Sequence, residues 1–303
     1  MSTPTDQLQT RGGLRQRLAL AGVRGSFRLA ERLSPAVGAR LAEALWFTAP
    51  RTRRSRTGPA GGHTVRIDVA GRTVIGERWG SGPTVVLMHG WGGHRGQFRA
   101  LVEPLTAAGF AVLALDAPGH GESEAGAQGR RQVTILEFAD ALTAACTALG
   151  PVCAVVAHSL GGMATAVALR DGLQVDCVVL VAPMAEVSSF TRHFAAQLGF
   201  GERIRARLVP RIERRVDKPL SYFDIPAIAG TVATPPLLLI HDRDDRDTAW
   251  SGSEAIRRAW GGARLITVTG LGHRAILNDG AVVAETVSFV AAHLAERSAV
   301  QPS

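Results

Sequence analysis

Val155-Val156-Ala157-His158-Ser159-Leu160-Gly161-Gly162 is the stretch on which the fold turns. An apolar run stops at a His-Ser pair and resumes as a segment of small residues suited to a helix. Ser159 therefore falls on a sharp strand-to-helix turn, in the pattern G-x-S-x-G with Ala157 in place of the first glycine. Such a turn is strained, and small residues two positions to either side of the serine relieve clashes with it. Alanine is the mildest departure from glycine. A serine placed there lies at a helix N-terminus, where free N–H groups and the helix dipole favour a developing negative charge. A helix-capping serine is the plain alternative for the motif taken alone.

Outward from this turn, short continuous apolar runs recur at 84–88 (TVVLM), 111–115 (AVLAL), 152–157 (VCAVVA), 177–182 (CVVLVA), 237–240 (LLLI) and 264–268 (RLITV). Helices fit between them at about 96–108, 133–149, 160–171, 251–260 and 280–297. Strands apolar on both faces and separated by helices imply a mostly parallel sheet covered on both sides. Two alternating runs, 63–69 and 72–79, are joined by Ala70-Gly71 and predict an antiparallel hairpin that brings the sheet to eight strands. The alternation breaks once. Residues 184–235 lack strand signals and are expected to form a helical cap inserted after the sixth strand. Met184, Phe190, Phe194, Tyr222 and Phe223 would either line a pocket beneath it or form its own packing core. The expected organisation is a basic helical extension and linker at 1–60, an α/β core at 61–183 and 236–303, and the cap at 184–235.

Three further segments carry chemistry. Leu87-Met88-His89-Gly90-Trp91-Gly92-Gly93 leaves the third strand, and its glycines let the chain turn and aim a backbone N–H inward. The amides of Trp91 and Leu160 are the expected oxyanion donors. Gly270-Leu271-Gly272-His273 follows the last strand, and an imidazole is suited to taking a hydroxyl proton near neutral pH. His241-Asp242-Arg243-Asp244-Asp245-Arg246-Asp247 follows the seventh strand with four carboxylates. A calcium loop does not fit, because Arg246 takes a ligand position, Asp247 replaces the required glycine and Ser253 replaces the terminal glutamate. The two interleaved arginines are expected to pair some of these carboxylates. Asp245 is the chosen acid, and Glu186, just after the sixth strand, is its rival. His89 and His158 are expected to brace the site and not to react.

The segments HGWGG, LDAPGHGES, HSLGG, HDRDD and LGHR resemble those of α/β-hydrolase-fold proteins, in particular bacterial serine hydrolases and esterases with an N-terminal helical extension. The likeness covers about residues 63–183 and 236–297. The family pattern places the acid at the end of a strand-end H-G-x-x-D segment. Here that frame starts at His241, has Asp242 in the glycine position and ends on Asp245. The resemblance implies Ser159 as nucleophile, His273 as general base and Asp245 as the acid that orients it. It implies cleavage of an ester or thioester through an acyl-enzyme, with no cofactor and no metal. A non-catalytic small-molecule binder on the same fold, or an acyltransferase, is the alternative, since such motifs specify the fold better than the substrate.

The net charge of +8 sits in residues 1–60, where eleven arginines face Asp6, Glu31 and Glu43, while the remainder balances 23 basic against 23 acidic side chains. The balanced core lacks the basic, aromatic-studded face that nucleic acid would require. Leu14, Leu18, Phe27, Ala30, Leu33, Val37, Leu41 and Leu45 recur at helical spacings, with Ser34-Pro35 opening a second helix. This stripe is expected to pack on the cap or core, leaving the arginines as its solvated face. A basic amphipathic helix lying on anionic lipid is the less favoured alternative. Cys146, Cys153 and Cys177 each lie in an apolar stretch and read as reduced, buried thiols of a reducing compartment. No leader-like run and no span of about 18 apolar residues is visible, so cytoplasm is the expected location.

Overall fold

The apolar runs pair into one sheet. The computed structural model describes residues 20–50, 58–129 and 131–300, and of 296–300 the backbone alone. Its strands are β1 (His63–Val69), β2 (Arg72–Trp79), β3 (Thr84–Met88), β4 (Ala111–Asp116), β5 (Val152–His158), β6 (Cys177–Val181), β7 (Leu237–Asp242) and β8 (Arg264–Val268). They lie in the order β1-β2-β4-β3-β5-β6-β7-β8. The β1–β2 and β2–β4 pairs are antiparallel, and every other pair is parallel. All residues of β3, β4, β5, β6 and β7 are buried, which is why these strands are continuous apolar runs instead of alternating, with polar residues only at their ends: Thr84, Asp116, His158, His241 and Asp242. The β1–β2 turn puts Ala70 at φ 52° and Gly71 at φ 79°, the left-handed pair that a two-residue hairpin requires.

The helices are α1 (residues 20–33), α2 (Pro35–Trp46), α3 (Arg99–Ala107), α4 (Ile135–Leu149), α5 (Leu160–Arg170), α6 (Val187–Leu198), α7 (Glu202–Val216), α8 (Ile225–Ala229), α9 (Trp250–Ala259), α10 (Gly272–Ala275) and α11 (Gly280–Val300). The segment between β6 and β7 is helical, holding α6, α7 and α8 with a short 3-10 turn at Leu220–Phe223. Among the described residues no single helix is long and apolar enough to cross a membrane.

The chain divides into two compact units. One takes residues 1–46 with 188–220, and the other takes 47–187 with 221–303. The inserted segment is thus shared between them, 188–220 with the N-terminal helices and 221–235 with the sheet. In the first unit, Phe27 packs on Phe200 with ring centroids 5.1 Å apart, and Trp46 packs on Phe190 at 5.5 Å and Phe194 at 5.1 Å. Glu31 of α1 accepts the amides of Gly201 (3.1 Å), Arg203 (2.9 Å) and Ile204 (3.1 Å), so a carboxylate from another helix satisfies the open N-terminus of α7. Glu43 of α2 pairs with Arg211 at 2.5 Å. Phe190 and Phe194 are accordingly packing residues of this unit.

The N-terminal stripe does not pack as its periodicity suggests. Phe27 is buried, but Leu33, Val37, Leu41 and Leu45 face solvent, and the packed face of α2 is Gly38, Ala39 and Ala42. Small residues let the helices approach closely: a Cβ on Gly38 would come within 2.3 Å of the Ile204 side chain. Leu14, Leu18 and residues 51–57 of the linker lie outside the described residues.

In the second unit Met184 and Phe223 are buried, and the Arg170 guanidinium lies 3.5 Å from the centre of the Tyr222 ring. Cys146, Cys153 and Cys177 are buried, and no disulfide joins them. Burial pushes the Cys146 and Cys177 thiols up to about 12, so both stay protonated.

Candidate active site

Ser159 links β5 to α5 at φ 55° and ψ −121°, a conformation costly for any residue with a side chain. Its neighbours over-determine it. The Ser159 amide donates to the Val181 carbonyl (3.1 Å), and the Ser159 carbonyl accepts from Gly162 (3.0 Å) and Met184 (3.3 Å). The glycines are required by close backbone approach. A Cβ on Gly161 would sit 2.5 Å from the Met88 carbonyl oxygen and 2.7 Å from that of His89. A Cβ on Gly90 would sit 2.7 Å from the Ser159 Cβ and 3.2 Å from the Leu160 nitrogen. The loop after β3 therefore lies directly against the serine turn, with Trp91 next along it. Leu160 opens α5, so its N–H has no acceptor within the helix.

Two neutral histidines and one buried cation brace that loop. His89 donates from Nδ1 to the Gly90 carbonyl (2.7 Å) and accepts at Nε2 from the Ala117 amide (2.9 Å). His120 donates from Nδ1 to the Pro118 carbonyl (2.9 Å) and accepts at Nε2 from the Gly92 amide (3.0 Å). Burial lowers the pKa of both rings and keeps them neutral, and the two hydrogen bonds each ring makes fix its tautomer. Asp116, buried at the end of β4, accepts the Arg95 amide (2.7 Å) and its guanidinium. The same guanidinium reaches Glu122 (2.6 Å) and Glu77 (3.4 Å). Burial works against the charge on Arg95, but Asp116 and Glu122 outweigh it and raise its pKa. Arg95 escaped sequence reading. The signal that could have found it is Asp116 closing an otherwise apolar strand, since a buried carboxylate needs a partner.

Asp245 and His273 come together from the loops after β7 and β8. His273 donates from Nδ1 to Asp245 Oδ2 at 2.7 Å. Asp245 Oδ1 accepts the amides of Asp247 (2.8 Å) and Thr248 (3.1 Å), and the Thr248 hydroxyl donates to Oδ2 at 3.0 Å. The Asp245 side chain is fully buried. Burial opposes its ionisation, but the hydrogen bonds from His241 and His273 prevail and hold it well below the usual carboxylate range. With Nδ1–H committed, Nε2 of His273 carries the lone pair. Thr248 is the second residue that sequence reading missed, and neither periodicity nor motif marks it.

His158 ties the serine turn to the histidine loop. Its Nε2–H donates to the His273 carbonyl at 2.8 Å, and the two rings lie 4.6 Å apart. Burial, with a smaller contribution from His273, lowers its pKa to about 3, so it is a neutral brace.

Asp242, the departure from glycine, has a distinct part. Its Oδ2 accepts the amides of Leu271 (2.5 Å) and Gly272 (2.6 Å), and Oδ1 accepts that of Asp244 (2.8 Å). Burial disfavours its charge, but these amides overcome that and lower its pKa. The carboxylate thus anchors the loop that carries His273. The expected pairing of Arg243 and Arg246 with these acids is not found: among the described residues neither forms an ion pair, and Arg243 lies 4.3 Å over the Trp250 ring. Backbone amides bind the Asp242 and Asp245 carboxylates instead. Glu186 is half-buried and interacts with Asp224, whose carboxyl is raised first by burial and then by Glu186. Ligand-type atoms of Asp245, Asp247 and His273 lie within 4.8 Å of one another, but both Asp245 oxygens and His273 Nδ1 are engaged in the bonds above.

A model of the alpha/beta hydrolase family matches residues 85–286. A pimeloyl-[acyl-carrier protein] methyl ester esterase of Nitrosospira multiformis is 28% identical over 155 residues, 51% of this chain and 57% of that protein. One of the same name from Chromobacterium violaceum is 51% identical over 49 residues, 16% of this chain and 19% of that protein. The chain therefore spans just over half of the first and about a fifth of the second. A monoacylglycerol lipase from Paleococcus ferrophilus superposes with a TM-score of 0.56 at 23% identity, over 73% of this chain and 99% of that one, a likeness of fold. The family match runs from β3 through the histidine loop, more than half of the chain, and with the strand order it shows that this chain belongs to the alpha/beta hydrolase family.

Proposed function

We propose that this protein is a serine hydrolase that cleaves a carboxylic ester or thioester through an acyl-enzyme. The observation that carries the reading is the 2.7 Å bond from His273 Nδ1 to Asp245, which fixes the tautomer whose Nε2 can take a proton. In this reading Ser159 Oγ attacks the acyl carbon as His273 Nε2 accepts its proton. Asp245 stabilises the imidazolium. The amides of Trp91 and Leu160 hold the oxyanion, each such donor being worth about 3–4 kcal/mol. His273 then protonates the leaving group, and water releases the acyl chain by the reverse path. The strained serine turn supports the assignment, because strain of this kind persists where function requires it. The names of the two esterase relatives support an ester as substrate.

A fluorophosphonate probe should label the wild type and leave Ser159→Ala unlabelled. A series of p-nitrophenyl esters of increasing chain length should be turned over by the wild type alone and should define the acyl chain accepted. Folded wild type that neither labels nor turns over any ester would point instead to a binding protein. Release of acyl product only when an alcohol or thiol acceptor is added would point to acyl transfer.

A further inference from the structure

All the large apolar side chains that stand exposed among the described residues fall in α1 and α2: Leu20, Val23, Leu29, Leu33, Val37, Leu41 and Leu45. The last five recur at a constant spacing of four residues. At the junction of the two helices the Ser34 amide reaches the Ala30 carbonyl (2.9 Å) and the Gly38 amide the Ser34 carbonyl (3.1 Å). Its exposure is large, with Leu33 at 75% and Leu29 at 59%. Arg28, Arg32 and Arg40 each precede a stripe leucine by one residue, so exposed cations line one flank.

The charges on these helices are sorted by face. Glu31 is consumed at the start of α7 and Glu43 by Arg211. Arg24 donates to the Gln197 carbonyl. Among the described residues no carboxylate pairs with Arg28, Arg32 or Arg40. What faces outward is therefore aliphatic and cationic, the composition of a helix that lies in a lipid interface. A second copy of the chain is a poor occupant. The face presents Arg28, Arg32 and Arg40 with no carboxylate partner among the described residues, so two such faces repel, and closing them together would bury unpaired guanidinium groups. A protein partner is a poorer match as well, since protein interfaces are built around aromatic anchors and none of the exposed large apolar residues is aromatic.

We propose that residues 20–45 dock this protein on an anionic lipid surface. The stripe of Leu29, Leu33, Val37, Leu41 and Leu45 enters the acyl boundary, and Arg28, Arg32 and Arg40 meet the headgroup phosphates. The proposal is independent of the catalytic reading, so it is tested on binding. Full-length protein is sedimented with vesicles of equimolar phosphatidylglycerol and phosphatidylcholine, and with phosphatidylcholine alone, across a salt series. The expected result is binding to the anionic vesicles only, weakening as salt rises. The variant Leu33→Ser/Val37→Ser/Leu41→Ser/Leu45→Ser should bind about tenfold more weakly or worse. Arg28→Gln/Arg32→Gln/Arg40→Gln should lose about tenfold or more and most of the salt dependence. The altered side chains are exposed, so circular dichroism should match the wild type in both variants. Three results would overturn the proposal: wild type that ignores anionic vesicles at physiological salt, a serine variant that binds as well as wild type, or a wild-type dimer abolished by the serine substitutions without vesicle binding.

Discussion

Asp242 stands where the family frame has glycine, and the carboxylate it adds is turned inward onto the His273 loop. Two amides, Leu271 and Gly272, end on one of its oxygens. Asp242→Ala leaves both without that acceptor in a partly buried loop, at a cost of about 1–3 kcal/mol for each left unsatisfied. The expected result is a kcat lowered roughly tenfold or more with KM little changed, because the base and not the substrate contacts is displaced. Asp242→Asn keeps an acceptor oxygen and should recover part of the rate. Equal loss in both variants would mean that the negative charge, not the anchoring, is what counts. The acid itself is tested separately. Asp245→Asn should cost about 10⁴ in kcat, since a carboxamide presents N–H to Nδ1 and favours the wrong tautomer. Glu186→Gln, beside Asp224, and Asp244→Asn should stay within about twofold of wild type. A large loss in Glu186→Gln with Asp245→Asn near normal would move the acid to the loop after β6.

At the scale of elements, the elbow depends on how closely β3 approaches α5. The Gly161 Cβ position lies 2.5 Å from one backbone oxygen and 2.7 Å from another, and backbone inside a sheet cannot retreat as a side chain can. Gly161→Ala should therefore cost about 3 kcal/mol or more, read as a lowered urea midpoint or as insoluble protein. Gly162→Ala meets only side-chain atoms, at 3.2 Å and beyond, and should cost less. Gly22→Ala in α1 meets nothing within 4 Å and should be neutral or stabilising by up to about 1 kcal/mol. Similar effects in all three would show that helix propensity, not the β3 contact, governs these sites. The same contrast explains what was legible beforehand. Strands β3 to β7 are continuous apolar runs because both their faces are covered, and the Ala70-Gly71 turn announces its hairpin through the conformation it needs. The serine, aspartate and histidine segments announce themselves by following strands. Arg95 and Thr248 do not, since each acts on a residue distant in sequence or outside any period, and no local pattern encodes such a partner. The recurrence of Leu33, Val37, Leu41 and Leu45 is legible as a stripe but not as an exposed one, and Leu29, which extends it, lies outside the periodicity read from the sequence. Periodicity reports that a helix is two-sided, whereas which side packs was decided here by the small residues Gly38, Ala39 and Ala42.

For the whole molecule, the buried histidines set the response to acid. His89, His120 and His158 all have pKa values lowered in the folded state, chiefly by burial, and each is locked by hydrogen bonds as a neutral ring. In the unfolded chain a histidine takes its proton near pH 6.5. Below that value the unfolded state binds protons that the folded state refuses, so stability must fall as pH falls. For His158 the window runs from about 6.5 down to the folded value of about 3. Within it, once the unfolded ring is charged, the loss is about 1.4 kcal/mol for each pH unit. The depressed carboxylates Asp242 and Asp245 act in the same direction but lower down. Their contribution is present above the unfolded value of about 3.9 and is lost as pH drops through their lower folded values. The acid limb of stability should therefore begin near pH 6.5 and not near 4, and it should steepen as more of these groups join. Melting temperatures measured from pH 7.5 to 4.5 should decline over this range in the wild type. His158→Gln removes one of the titrating groups, so its baseline stability should be lower but its slope against pH shallower. A wild-type melting temperature that is flat down to pH 4.5, or a His158→Gln slope equal to the wild type, would show that these rings take up protons in the folded state and that their burial does not hold them neutral.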